Sequence, residues 1–348
     1  MRALLSALGV FAAACAGGPA DADEACSHQT TISEARYANA DISLAAAWIS
    51  PIGVTQTPAV IILQGAGDSS RSNAWSAQIA AALAECGVAV LLTDKRGSGA
   101  STGDWRTASM LDLAADGAAG LVWAAAQPNV DRDRIGFLGL SQGGMVAPAA
   151  ALLSPEADFA IGWVSSAAPM RDVLTYELEQ TYRQHGLNDE QIAPLQRLPH
   201  AAFTWLDSGE SWADYVAVRD AIAQSPFARA AETWPSTQDD SYWTFWRANK
   251  DYAALPRWRE LVEQRHTPGL VVLGELDVSD NVDVAGTRDL LRAGVRGAML
   301  VEVVPGVGHS LRLENGALHP RALGLTLSLV RNPQAWPQAA ASMSLPAP

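Results

Sequence analysis

Three residues of this chain have the types and the order needed for acyl transfer: Ser141, Asp277 and His309. Ser141 is the centre of Gly139-Leu140-Ser141-Gln142-Gly143, a G-x-S-x-G pattern. It lies between an apolar run at 135–140, which reads as a buried strand, and another at 145–153, which reads as a helix. A serine on so tight a turn sits in a strained backbone, and only small residues fit two positions before and after it. The hydroxyl then points off the sheet edge, with a helix N-terminus beneath it that favours negative charge. A bare G-x-S-x-G is frequent by chance, so the rest of the chain has to supply a base, an acid and an oxyanion hole.

The chain has six histidines. His309 follows an apolar run in Val304-Pro305-Gly306-Val307-Gly308-His309-Ser310, late in the chain, where the base of a Ser–acid–His order belongs. His28, His185, His200, His266 and His319 have no such setting. The acid is expected just after the preceding strand, in Gly274-Glu275-Leu276-Asp277-Val278-Ser279-Asp280. Asp277 is the choice, with Glu275, Asp280 and Asp283 as rivals that otherwise read as solvated loop charges. Of the two backbone N–H groups an oxyanion hole requires, one is expected from Gln142 and the other from Ala66 in Gln64-Gly65-Ala66-Gly67-Asp68. The histidines lack metal-ligand spacing, and neither a metal nor a cofactor is implied.

These residues need elements to hold them. Polar–apolar alternation at 30–37 and 42–49 reads as an antiparallel hairpin. Apolar runs at 59–63, 88–93, 135–140 and 159–165 read as buried strands, with helices at 73–86, 109–127 and 145–153 between them. That rhythm demands a mostly parallel sheet of about eight strands with helices on both faces, an α/β class. From 170 to 266 no buried strand appears, and Pro194, Pro199, Pro226, Pro235 and Pro256 interrupt helical stretches. The rhythm resumes with a strand at 270–274, a helix at 284–293, a strand at 298–304 and a helix at 322–330. The expected organisation is a core at 27–169 and 267–332, a helical cap inserted at 170–266, and an irregular tail at 333–348. Six of the twelve tryptophans lie in the insertion. Most are expected to form its own small core, with some left to line a pocket over the strand ends.

A chain of 348 residues with 49% hydrophobic and 18% charged residues reads as folded and globular. The net charge of −13 argues against nucleic acid or an anionic membrane as partner. Met1-Arg2, an apolar run at 3–16 and Ala20-Asp21-Ala22 read as an export signal over 1–22, too short to span a bilayer. Ala12-Ala13-Ala14-Cys15 is a degenerate lipoprotein box, so a lipid anchor at Cys15 is a variant of this reading. The expected location is periplasmic or secreted. Without the signal only Cys26 and Cys86 remain; they form a disulfide in an oxidising compartment, or else stay as two free thiols.

The run Asp94-Lys95-Arg96-Gly97-Ser98-Gly99-Ala100-Ser101-Thr102-Gly103-Asp104-Trp105 is similar to one that bacterial α/β-hydrolases carry after their fourth strand. Asp131-Arg132-Asp133-Arg134-Ile135-Gly136 and Gly274-Glu275-Leu276-Asp277 extend the likeness. Over roughly 59–170 and 268–312 the chain resembles the serine esterases related to dienelactone hydrolases and prolyl-oligopeptidase-type hydrolases. It departs from them at Gln64-Gly65, where His-Gly is common; that histidine is not part of the triad. The glycines at 97, 99 and 103 have the wrong spacing for a dinucleotide fingerprint, and Arg96 reads as a loop anchor. The resemblance implies an α/β-hydrolase that cleaves a small-molecule carboxylic ester. His309 would deprotonate Ser141, and Asp277 would orient His309. A serine peptidase or a thioesterase on the same fold is the alternative, and paired cap glutamates such as Glu177 and Glu179 would favour a peptidase. A binding protein on an inactive scaffold would lack a triad member, whereas all three candidates are present.

Overall fold

The computed structural model describes residues 26–279 and 282–343. The expected signal over 1–22, Cys15 and the rival acid Asp280 lie outside the described residues.

Eight strands form one sheet in the order β1-β2-β4-β3-β5-β6-β7-β8. β1 (Thr30–Asn39) and β2 (Ile42–Pro51) make the expected antiparallel hairpin, and β2 pairs antiparallel with β4 (Ala89–Thr93). From β4 onward the neighbours β3 (Thr57–Leu63), β5 (Val130–Leu140), β6 (Phe159–Trp163), β7 (Gly269–Gly274) and β8 (Met299–Val304) run parallel. Every residue of β3, β4, β6 and β7 is buried, which is why these strands read as continuous apolar runs and not as alternating ones.

Helices cover both faces. α1 (Ala74–Glu85) is capped by the Asn73 side chain and packs on one face with two late helices, Pro320–Arg331 and Trp336–Met343. α2 (Met110–Ala125) opens with a capping box between Ser109 and Asp112, and α3 (Gln142–Leu153) starts directly at the elbow. Both pack on the opposite face.

Between β6 and β7 lie only helices: α4 (Met170–Gln184), α5 (Asp189–Ser208), α6 (Trp212–Ala223), α7 (Arg229–Glu232), α8 (Ser241–Asn249) and α9 (Ala254–Arg259). A π-helical turn, Glu260–Gln264, then leads to β7. The two ends of this segment meet. Pro169 bridges Ala253, and the Met170 amide donates to the Tyr252 carbonyl at 2.9 Å. Tyr252 also donates its hydroxyl to the Met145 carbonyl on α3, and buried Asn249 donates to the Ala108 carbonyl while accepting from the Met110 amide. The segment therefore leaves and re-enters the core at one place, above α3. Trp205, Trp234 and Trp243 pack with Tyr215 in a core of the segment's own, with Trp205 and Trp243 edge to face at 4.9 Å.

β7 passes into a 3-10 turn, Glu275–Ser279, followed by α10 (Val284–Gly294), β8 and α11 (Pro320–Arg331). The expected irregular tail is a correction. After a 3-10 turn at Pro333–Ala335, α12 spans Trp336–Met343. Pro333 and Pro337 occupy the opening turns of these helices, where the missing N–H costs nothing. Trp336 is 1% exposed and its indole N–H donates to the Gly269 carbonyl, so the tail is tied to the start of β7.

Cys26 and Cys86 are bonded, joining the chain ahead of β1 to the end of α1 across a separation of 60 residues. Closing a loop of that length restricts the unfolded chain by about 4 kcal/mol in the chain-entropy account. Reduction, or Cys86→Ala, is expected to lower the melting temperature by several degrees in scanning calorimetry. An unchanged transition under full reduction would contradict it.

Candidate active site

Ser141 sits between β5 and α3 at φ 54°, ψ −119°, a left-handed backbone conformation that costs a non-glycine residue energy. The turn is held by its own hydrogen bonds: Ser141 N–H donates to the Trp163 carbonyl at 2.9 Å, and Gly144 N–H to the Ser141 carbonyl at 2.8 Å. The flanking glycines allow backbone to touch backbone. A Cβ on Gly139 would stand 2.0 Å from the Gly143 carbonyl oxygen, and one on Gly143 would stand 2.1 Å from that of Leu63. The strain at Ser141 is thus imposed by close packing of β5, α3 and the end of β3.

Asp277 and His309 come together from two neighbouring strands. β7 ends at Gly274, where a Cβ would meet the Val307 and Gly308 carbonyl oxygens at 2.5 Å, and Leu276 N–H donates to the Val307 carbonyl. The loops after β7 and β8 are therefore in backbone contact. His309 Nδ1 lies 2.9 Å from each Asp277 carboxylate oxygen, and the Asp277 side chain is fully buried. With Nδ1–H donating to the carboxylate, Nε2 carries the lone pair, which is the tautomer a general base needs.

Two of the rival acids and two of the other histidines have other work. Glu275 accepts from the Gly306 amide, and Asp283 caps α10 by accepting from Gly286 N–H. His319 caps α11, and His185 is bonded to the Thr181 carbonyl of its own helix.

Ser141, Gln142 and Ala66 line one cavity of about 470 Å³, within the range of small-molecule sites. The loop after β3 closely approaches the turn: a Cβ on Gly65 would lie 3.6 Å from Ser141 Cβ. Gln64, at the departure from His-Gly, is a buried bridge. Its amide donates to the Thr93 carbonyl at 2.8 Å, and its oxygen accepts from the Ser69 hydroxyl. Much of the remaining wall comes from the helical segment between β6 and β7, including Met170, Leu174, Phe245 and Trp246. These apolar side chains suit an acyl or aromatic group.

Two contributors, Trp75 and Lys95, were not legible in the sequence, and a third, Glu177, could be named there but not placed. Trp75, at the start of α1, donates its indole N–H to the Ser310 carbonyl, and its ring lies 5.9 Å from that of His309. Lys95 places its ammonium beneath the loop at Gly65–Gly67. Glu177, on α4, lies in the cavity wall, and burial, opposed by His309 and aided by Asp277, pushes its carboxyl up to about 7. Glu179 does not join it, being ion-paired to Arg183 one helical turn away. Arg96 anchors a loop as expected, paired to Asp116 on α2 at 2.6 Å.

A family model for serine aminopeptidases, S33, matches residues 55–316. An uncharacterized protein of Mycobacterium tuberculosis (strain H37Rv) is 41% identical over 101 residues, 29% of this chain and 34% of that protein. The match thus spans about a third of that relative's length. Among solved structures, the proline iminopeptidase of Mycobacterium smegmatis aligns over 86% of this chain and 98% of its own at TM-score 0.55 and 19% identity. An α/β-hydrolase from Penicillium sp. sh18 covers 90% and 99% at TM-score 0.54 and 19% identity. An esterase of Pyrococcus furiosus covers 93% and 96% at TM-score 0.51 and 16% identity. At such identities these structures speak for the fold alone. The family match takes in most of the chain, with the elbow, Asp277 and His309 inside it, and the chain belongs to the serine aminopeptidase S33 family of α/β-hydrolases.

Proposed function

We propose that this hydrolase cleaves small carboxylic esters through an acyl-enzyme on Ser141. The observation that carries the reading is the buried Asp277 carboxylate bonded to His309 Nδ1 in a chain whose strained Ser141 faces a largely apolar cavity. In this mechanism His309 Nε2 takes the Ser141 proton as Oγ attacks the ester carbonyl. The Ala66 and Gln142 N–H groups hold the oxyanion, each such donor contributing about 3 kcal/mol. The tetrahedral adduct collapses, and the alcohol leaves with the proton from His309. Water, deprotonated by His309, then releases the acid.

Residues 170–266 act as the cap that selects the acyl group, supported by the apolar side chains they add to the cavity. Export to an oxidising compartment is supported by the Cys26–Cys86 bond.

Glu177 favours a second reading, an aminopeptidase in which its carboxylate would receive a substrate ammonium. One observation weighs against it as first choice: Glu179, its expected companion, is engaged at the surface by Arg183.

Ser141→Ala is expected to abolish turnover of p-nitrophenyl esters, and Asp277→Asn to lower kcat by about 10⁴-fold with KM nearly unchanged. Steady-state kinetics check both, and retained turnover in Ser141→Ala would reject the nucleophile assignment. A panel of p-nitrophenyl esters and aminoacyl p-nitroanilides separates the two substrate readings. On the ester reading Glu177→Gln leaves ester KM within about threefold, and on the peptidase reading it raises anilide KM steeply. Glu177 also makes a prediction for stability. Its folded value lies above its ordinary 4.5, so the stability it contributes is present below that pH and is lost as pH rises through about 7. The melting temperature of Glu177→Gln relative to the unsubstituted protein should therefore climb between pH 5 and pH 8. A constant difference would show that the carboxyl is not buried in solution.

A further inference from the structure

Lys95 follows β4 and points inward, with only 8% of its surface exposed. Its ammonium donates to three acceptors: the Gly65 carbonyl, the Gly67 carbonyl at 3.2 Å and the Gln142 side-chain oxygen at 3.0 Å. An ammonium has three hydrogens, so each acceptor takes one, whereas a neutral amine would leave an acceptor unserved. The charged groups around this site are Asp68, which favours the ammonium, and Asp94, Arg96 and Asp116. Asp94 accepts from the Arg71 and Ala100 amides, and Asp116 is paired with Arg96, so none of these takes up the Lys95 hydrogens.

The three contacts have a geometric meaning. The Gly65 carbonyl and the Ala66 N–H belong to one planar trans peptide, in which C=O and N–H point in opposite directions. Holding the carbonyl down onto Lys95 aims the Ala66 N–H the other way, to the side where Ala66 lines the cavity with Ser141. A cation on the carbonyl also polarises the peptide and makes its N–H a stronger donor. The bond to the Gln142 side chain ties the second donor residue to the same point. One buried cation thus ties the loop after β3 to the first residue of α3, beside the backbone contact that Gly143 makes with Leu63.

We propose that Lys95 is the positioning residue of the oxyanion hole, aiming the Ala66 N–H and fixing Gln142 relative to it. This rests on the Ser141 acyl-enzyme reading. Burial pushes the Lys95 ammonium down, and Asp68 opposes that shift.

The test compares Lys95→Met with the unsubstituted protein and with Lys95→Gln, which keeps an amide donor. Lys95→Met is expected to lower kcat on a p-nitrophenyl ester by about 10²–10³-fold, the effect of losing one oxyanion donor, with KM within about threefold. Lys95→Gln should lie between. The inhibition constant of phenylboronic acid, which forms a tetrahedral adduct on a serine, should rise by the same factor as kcat/KM falls, while affinity for the carboxylate product stays. A merely structural lysine would not separate these affinities. A kcat within about threefold of the unsubstituted value, or a fall in kcat with unchanged boronate affinity, would overturn the proposal. If Lys95→Met does not fold, Gln142→Leu removes one anchor and leaves the backbone donor. It should lower kcat and boronate affinity together, and no effect on either overturns the proposal. Ser141→Ala runs alongside: if it retains turnover, the nucleophile reading and the Lys95 role fall together. If it is dead while Lys95→Met is unimpaired, only the Lys95 role falls.

Discussion

Backbone meets backbone at the turn between β5 and α3, and the geometry of the whole site follows from that contact. Gly139, Gly143 and the Leu63 carbonyl occupy space in which a single Cβ would overlap at about 2 Å. This closeness holds Ser141 at positive φ and brings the end of β3 alongside the start of α3. The two proposed oxyanion donors, Ala66 and Gln142, belong to these two segments. The strain is stored locally, but it is sustained by the parallel pairing of β3, β5 and β6 and by a helix packed on the sheet.

Around that contact the neighbouring loops are fastened by buried polar groups. Three consecutive residues after β4 each serve a different partner: Asp94 gathers the Arg71 and Ala100 amides, Lys95 reaches the loop after β3, and Arg96 pairs with α2. Gly99 is required beside them, because a Cβ there would meet the Asp94 carboxylate at 2.4 Å. On the other side α1 holds the histidine loop through Trp75, and Arg312 donates to the Gln78 oxygen. Buried polar groups of this kind are costly when partly satisfied, and here each is bonded, which suits a site that has to be rigid before substrate arrives.

The parts legible in the sequence were those written in local patterns. Buried parallel strands announce themselves as apolar runs, the elbow by its glycines, and Asp277 and His309 by closely following such runs. The hairpin, the eight-strand sheet and the all-helical stretch between β6 and β7 could be read for the same reason. The tail could not, because its prolines look like breakers unless they are known to open a helix, and Trp336 finds its place only against Gly269. Lys95 and Trp75 were hidden for a related reason. Their partners lie 28 or more and 235 residues away, and nothing in a lysine or a tryptophan alone signals which loop it will hold. Glu177 could be named but not placed, since its meaning depends on how α4 lies over the core.

In the proposed mechanism Ser141, activated by His309 and Asp277, is the nucleophile. The most direct measurement is reaction of the purified protein with a fluorophosphonate, followed by intact-mass and peptide mapping. One phosphonyl group per chain on the Ser141 peptide is predicted, with labelling slowed strongly in His309→Ala. No adduct, or an adduct elsewhere with Ser141 unmodified, would contradict it.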